Sequence, residues 1–252
     1  MIISIANQKG GVGKTTTTQS LSAGLIKKGF SVLSIDLDPQ SNMSIALGAD
    51  TTQASIYEVM KGTVGINDVI QQSNSGDIIP SNILLAAAEI EFFQIMKREE
   101  ILKSKIIQIK TPYDFILIDT PPALGILTIN AFTASDKLII PMGADKFSLQ
   151  GIGQLSNTFN QVKEYCNQQL TIEGILLTKY NPRTILGKDL RNIVNNVATQ
   201  LNTKIYDTFI RSSISIQEAQ TQTANILEYA PNSTAQSDYT NFVDEFLRGL
   251  NK

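Results

Sequence analysis

The sequence predicts an α/β protein: one domain with a mostly parallel, twisted sheet and helices on both faces. Three observations carry that prediction. Short apolar or β-branched runs alternate with helix-period segments almost from end to end, the pattern of parallel strands joined by right-handed crossovers. The chain has 252 residues, 42% hydrophobic and 17% charged, enough for one large domain with a sizeable core. No repeat, linker or low-complexity tract divides it, so 1–252 reads as one unit.

Residues 2–6 read as the first strand, which enters a Gly-rich turn and then a helix over 15–28. Further strands are expected at 31–36, 78–80, 115–119, 137–142 and 174–178, with a weaker one at 208–211. Helix-period segments fill the intervals at 83–110, 127–134, 150–166, 188–200 and 237–250. The polar run 67–76 reads as an inserted surface loop, and the apolar stripe within 83–90 reads as plain core.

Composition narrows the chemistry. The chain has no histidine, which removes imidazole bases and His-ligated metals. Cys166 is the single cysteine, so one chain cannot assemble a disulfide or a thiolate metal site. A net charge of −2 supplies no global field toward nucleic acid, so any such binding must be local. The apolar start is too short for a signal peptide or a membrane span, which leads us to expect a soluble, cytoplasmic protein.

The strongest motif follows the first strand: Asn7, Gln8, Lys9, Gly10, Gly11, Val12, Gly13, Lys14, Thr15 and Thr16, then the helix. Glycines let successive N–H groups turn toward a phosphate, and the helix N-terminus adds its dipole. Lys14 can neutralise β- and γ-oxygens, and the Thr15 hydroxyl can ligate Mg2+. The motif therefore implies a nucleoside triphosphate with Mg2+, and the resemblance described below implies that it is ATP. Two other predicted strands end in acids, one in Asp36 and Asp38, the other in Asp119. Open α/β sheets bind ligands at that edge. Asp36 and Asp38, two residues apart, point to the same side of an extended chain.

The loop departs from the common G-x-x-x-x-G-K-[ST] pattern, with Gln8 at the first glycine position and Lys9 after it. In this it resembles the deviant Walker A ATPases, which include ParA partition proteins, MinD-like proteins, and nitrogenase-reductase-like and iron–sulfur carrier ATPases. The resemblance implies that Lys9 reaches the partner's phosphates across a nucleotide-sandwich homodimer, comparably to an arginine finger. It further implies that Asp38 positions or activates the attacking water, that Asp36 supports the Mg2+ shell and that Asp119 takes the Walker B role. Lys9, Lys14 and Asp38 are then catalytic, Thr15, Asp36 and Asp119 serve the metal, and the loop from Lys9 to Thr16 holds the nucleotide. Slow ATP hydrolysis would time dimer association.

The stretches 36–42, 78–91, 118–134, 147–155, 174–184 and 228–239 resemble ParA/Soj-type partition ATPases in particular. That branch implies DNA binding without sequence preference and a ParB-like partner that stimulates hydrolysis, with the protein on the nucleoid. Residues 176–215 hold Lys179, Arg183, Lys188, Arg191, Lys204 and Arg211 against Asp189 and Asp207, a net +4 that can neutralise phosphates. From these, Arg183, Lys188, Arg191 and Arg211 are the candidate DNA contacts. The sequence departs from the branch most at 210–220. Positions that contact base and ribose in relatives are Arg211 and Ser213 here, an expected DNA-binding arginine is Ser215, and an expected proline is Gln220. The chain starts at the first strand, so no helix-turn-helix extension and no operator binding are expected. Its last helix is too acidic to suit anionic lipid, so no stable membrane association is expected. A membrane- or scaffold-bound positioning ATPase and a nucleotide-gated binding module with negligible hydrolysis stay open; liposome co-sedimentation and a turnover assay separate them.

Overall fold

The computed structural model describes residues 1–73, 75–143 and 146–250, without the side chains of 146–150, 185–186 and 188–190. The described strands are β1 (Ile2–Ile5), β2 (Val32–Asp36), β3 (Gln71–Ser73), β4 (Gly76–Ile79), β5 (Phe115–Asp119), β6 (Lys137–Gly143) and β7 (Thr171–Thr178). They form one sheet in the order β3-β4-β2-β5-β1-β6-β7. Every pairing is parallel except β3 with β4. The register sets Asp119 beside both Ile5 and Asp36, so β1, β2 and β5 deliver their carboxyl ends to one edge.

The helices are α1 (Lys14–Lys27), α2 (Asn42–Ala46), α3 (Ile56–Lys61), α4 (Ala88–Glu91), α5 (Ile101–Ile106), α6 (Ile126–Ala134), α7 (Lys146–Tyr165), α8 (Ile185–Gln200), α9 (Ile214–Thr221), α10 (Ile226–Tyr229) and α11 (Thr234–Leu250). Strand alternation divides the core between two faces. Phe115 and Leu117 of β5 join Ile3, Ile5, Leu21, Leu25, Phe242 and Phe246, under α1 and α11. Ile116 and Ile118 point the other way, to Val59, Leu102, Phe132, Phe159 and Val194 from α3, α5, α6, α7 and α8. With both faces covered, β2 and β5 are buried along their whole length.

Helix α1 is buried although its sequence is polar: Thr16, Thr17, Thr18, Gln19, Ser20 and Ser22 are all inaccessible. Hydrogen bonds within the helix and from distant segments satisfy part of that polarity. Thr18 donates to the Lys14 carbonyl at 3.0 Å, Ser22 to the Ser75 carbonyl at 2.7 Å, and Asn225 to the Gln19 carbonyl at 2.9 Å. A Cβ at Gly24 would stand 2.5 Å from Val243 Cγ2, so this glycine sets how closely α1 and α11 approach.

Four expectations are corrected. The single helix over 83–110 is a chain of short turns and helices, among them α4 and α5, interrupted where Lys97 adopts a left-handed φ of 56°. Its inward residues form two separate stripes, Leu85–Ala88–Phe92 and Leu102–Ile106, so no one helix face continues through it. Within 83–90 only part of the stripe is core, since Leu85 and Ala88 are buried but Ile83 is 66% and Ile90 82% exposed. The run 67–76 is more than a loop, because Gln71–Ser73 forms an antiparallel edge strand whose polar side chains suit its exposed position. The strand at 208–211 is reduced to isolated bridges, Thr178 with Ile210 and, before it, Ile175 with Ile205.

Glu173 on β7 is buried and receives Lys137 and, at 2.7 Å, Lys204. Burial pushes its carboxyl up, yet the two lysines outweigh that and hold it below the ordinary 4.5. A lowered folded pKa means stabilisation that is complete above the unfolded value and vanishes as pH falls through the folded one. Glu173→Gln is therefore expected to cost about 1–3 kcal/mol at pH 7, limited by the exposure of Lys204, and to converge on wild type in acid. Urea denaturation across pH checks this; a deficit independent of pH would contradict it.

Candidate functional site

The turn between β1 and α1 is held from three sides. Asn7 donates to the Pro141 carbonyl at 2.7 Å and accepts from the Lys9 N–H at 3.0 Å. Thr178, at the end of β7, donates to the Val12 carbonyl at 2.8 Å, and Lys179 to the Gly11 carbonyl at 2.8 Å. Gly11 and Gly13 take φ of 71° and 87°, a left-handed conformation that favours glycine. Among the described residues no atom lies within 4 Å of where a Cβ at Gly10 or Gly11 would be, and Gly10 to Thr16 border a cavity. That space, ending at the N-terminus of α1, suits a phosphate chain.

Lys14 is buried, and its ammonium donates to the Lys9 carbonyl at 3.3 Å. Burial lowers its pKa more than Asp119 and Asp38 raise it, so the site lacks anionic charge for this lysine. Thr15 donates to Asp119 at 2.7 Å, and Thr18 approaches the other Asp119 oxygen at 3.4 Å. Burial, then the charge of Asp36, pushes Asp119 up to about 8, while the Thr15 bond and Lys14 pull the other way. Asp36, pushed up by burial to about 6, accepts from Ser44 N–H at 2.9 Å, Ser44 Oγ at 2.7 Å and Asp38 N–H at 3.0 Å. It thereby fastens the turn carrying Asp38 to α2. Asp38 in turn accepts from the Gln40 N–H at 3.0 Å and borders the cavity.

The chemistry of this donor set fits Mg2+ with a nucleotide. Buried carboxylates raised by desolvation are compensated by a divalent cation, and a hydroxyl and carboxylate oxygens are its preferred ligands. Among the described residues no group of three His, Cys, Asp or Glu side chains converges as an all-protein cage. Mg2+ typically takes one or two protein oxygens and completes its shell with phosphate and water.

The cavity in front of the loop measures about 820 Å3, within the usual range for a small-molecule site. Gly10 to Thr16 and Asp38 border it, and so do Arg211, Ser213, Gln217 and Gln220. The loop from Lys9 to Thr16, Asp36, Asp38 and Asp119 thus gather at one sheet edge, with Arg211 and Ser213 on the same cavity. Among the described residues, the basic side chains of 176–215 have different engagements. Lys179 reaches the turn, Lys204 holds Glu173, and Arg211 is bound by Asp238. Arg191 lies 3.7 Å from Asp207, and Arg183 is exposed on the loop before α8. The side chain of Lys188 lies outside the described residues, as do those of 147–150 in the 147–155 stretch. Sequence reasoning did not assign Thr178 or Asp238 and counted Lys179 only among the basic residues of 176–215; Thr178 and Lys179 lie 166 and 168 residues from the turn positions they bind, and Asp238 lies 27 residues from Arg211. It also missed Glu89, which accepts from the Ile126 N–H at 3.1 Å and so holds the end of the loop that follows Asp119.

A glycine turn from strand to helix, a buried lysine, and a hydroxyl paired with a carboxylate from a neighbouring strand define a P-loop nucleoside triphosphatase fold. The AAA domain family model matches residues 1–172. The chain is 40% identical to the sporulation initiation inhibitor protein Soj of Bacillus subtilis over 97% of each chain. It is 34% identical to the chromosome partitioning protein ParA of Caulobacter vibrioides, over 98% of this chain and 93% of that one. Solved structures share the fold, among them the two that follow. The cobyrinic acid a,c-diamide synthase of Mycobacterium smegmatis, with bound ATP analogue and magnesium, has a TM-score of 0.87 at 31% identity, covering 100% of this chain and 95% of that one. A putative plasmid partition protein of Borrelia burgdorferi bound to AMPPNP has a TM-score of 0.82 at 27% identity, covering 98% of each. The chain belongs to the ParA/Soj family of P-loop partition ATPases.

Proposed function

We propose that this protein binds ATP with Mg2+, dimerises on it, coats DNA without sequence preference, and is released when a ParB-like partner stimulates hydrolysis. The observation that carries the reading is the convergence of Lys14, Thr15, Asp38 and Asp119 beside a phosphate-sized turn. Mg2+, which Thr15 and Asp119 would hold, would supply positive charge that offsets the charge of the phosphates. The chain does the rest by positioning. Backbone N–H groups of Gly10 to Thr16 cradle the phosphates, and Lys14 neutralises them. Thr15 and Asp119 hold the metal, with Asp36 supporting that shell by fixing the turn beside it. Asp38 orients the attacking water, and Lys9 reaches the phosphates of the second copy.

Association between copies is supported by the exposed apolar side chains of the segment 83–96, Ile83, Leu84, Ile90, Phe93 and Met96. Glu89 in that segment holds the start of α6, directly after the loop from Asp119, so phosphate contacts can be felt there. Arg183, Lys188 and Arg191 are the proposed DNA contacts; Arg211, with its charge committed to Asp238, adds little. Among the described residues no helix is long and apolar enough to cross a membrane. Phe242, Val243 and Phe246 of α11 are buried in the core, which leaves that helix unsuited to lipid. We place the protein in the cytoplasm, on the nucleoid.

The test is binding to random-sequence duplex DNA with ATP, with ADP and without nucleotide. The expected result is ATP-dependent, sequence-indifferent binding that weakens with salt by a log–log slope of about −0.9 per phosphate contacted. Failure to bind DNA in any state, with ATP-dependent dimerisation intact, would turn the proposal to a scaffold- or membrane-bound positioning ATPase.

A further inference from the structure

We propose that Lys179 and Thr178, at the end of β7, are positioning residues of the phosphate site: they turn the N–H groups of Val12 and Gly13 toward the phosphates and so set phosphate affinity. The inference rests on the reading of the cavity as a Mg·ATP site and adds the side chains that orient its backbone donors.

Three consecutive carbonyls of the turn are engaged in order. Lys179 Nζ donates to the Gly11 carbonyl at 2.8 Å, Thr178 Oγ1 to the Val12 carbonyl at 2.8 Å, and the Thr17 N–H to the Gly13 carbonyl at 2.9 Å. In a planar trans peptide the N–H points opposite to the C=O. Drawing these carbonyls toward their donors therefore turns the N–H groups of Val12, Gly13 and Lys14 the other way. Left-handed residues such as Gly11 and Gly13 let successive N–H groups converge into an anion-binding concavity. Before an anion arrives, the converging N–H dipoles repel one another, and glycine permits other orientations. The arrangement thus needs donors from outside the turn, and only the Gly13 carbonyl has one from α1.

The two donors are themselves fixed. Thr178 is buried and bridges to Ile210, while the Tyr180 N–H donates to the Ile210 carbonyl at 3.1 Å and its buried ring meets Phe209 edge-on at 5.1 Å. Between these anchors Lys179 takes a left-handed φ of 52°, a conformation uncommon for L side chains. Such a departure at the border of a ligand cavity marks a functional constraint. Lys179 and Thr178 act through the loop backbone, whatever lies beyond the phosphates.

The test measures affinities of the full chain for Mg2+ complexes of ATP and of inorganic tripolyphosphate, in wild type, Lys179→Met, Lys179→Arg and Thr178→Val, with thermal melting to confirm folding. Lys179→Met keeps the stem and removes the donor; it is expected to weaken both ligands by the same factor, about three- to thirtyfold. Lys179→Arg, which can still donate to the Gly11 carbonyl, should restore affinity. Thr178→Val, which changes no charge, should weaken both ligands in the same way. The amide resonances of Val12 and Gly13 should shift on adding tripolyphosphate to wild type and shift less in Lys179→Met at saturation. Wild-type affinity in Lys179→Met overturns the proposal, as do unaltered amide shifts. A loss in Lys179→Met with none in Thr178→Val also overturns it, because Lys179 would then act by charge alone. Wild type that binds neither ligand overturns the phosphate-loop reading itself.

Discussion

Replacing Asp38 by Ala lowers ATP turnover by about two to four orders of magnitude while ATP binding is retained. The expectation follows from where the carboxylate sits. Its backbone N–H is tied to Asp36, its Oδ1 accepts from Gln40, and it borders the cavity that begins at the phosphate loop. The chain has no histidine to take its place in orienting water. The hydrogen bonds that hold the turn involve Asn7, Thr178 and Lys179, so loss of the Asp38 side chain is expected to leave the phosphate cradle standing. The measurement is single-turnover hydrolysis alongside the affinity for an ATP analogue. Turnover equal to wild type removes Asp38 from its role; a parallel loss of affinity would mean that the side chain holds nucleotide instead.

The second large effect is expected at Lys14. Lys14→Gln keeps most of the side chain's length and its place at the start of α1 but removes the charge. Burial lowers the lysine's pKa against the attraction of Asp119 and Asp38, so this cation is under-compensated until phosphate arrives. Truncating one partner of such a desolvated charge pair costs about 2–5 kcal/mol, which corresponds to an affinity loss of roughly thirtyfold to several thousandfold. Titration with a fluorescent nucleotide analogue checks it, with circular dichroism confirming that the variant is folded. Wild-type affinity in a folded Lys14→Gln protein would exclude Lys14 from the phosphate site.

Both predictions concern residues whose importance is legible in the chain, because phosphate binding is a local problem. Consecutive N–H groups, two left-handed glycines and a helix start must follow one another within about ten residues, so the requirement is written as a contiguous motif. The acids at Asp36, Asp38 and Asp119 were legible for a related reason: buried parallel strands read as apolar runs, and the residue that ends each run lies at the ligand-binding edge. Long periodic segments such as α7 and α11 were found by the same logic.

What the sequence alone determined is therefore the parallel α/β class, the phosphate loop, and the acids that face it. Only the tertiary structure decided what depends on distant partners. It alone shows Thr178 and Lys179 closing on the turn at Val12 and Gly11, Asp238 binding Arg211, and Glu89 holding the start of α6. It breaks the 83–110 segment into short turns and pairs the polar 71–73 run as an edge strand. It also gives Lys179, Arg191, Lys204 and Arg211, which adjacency in sequence had grouped, four different partners, because a local charge count does not record what each side chain meets after folding. Backbone conformation and strand burial are set by near neighbours and leave a periodic trace; side-chain pairing across 27 to 168 residues is set by packing and leaves none.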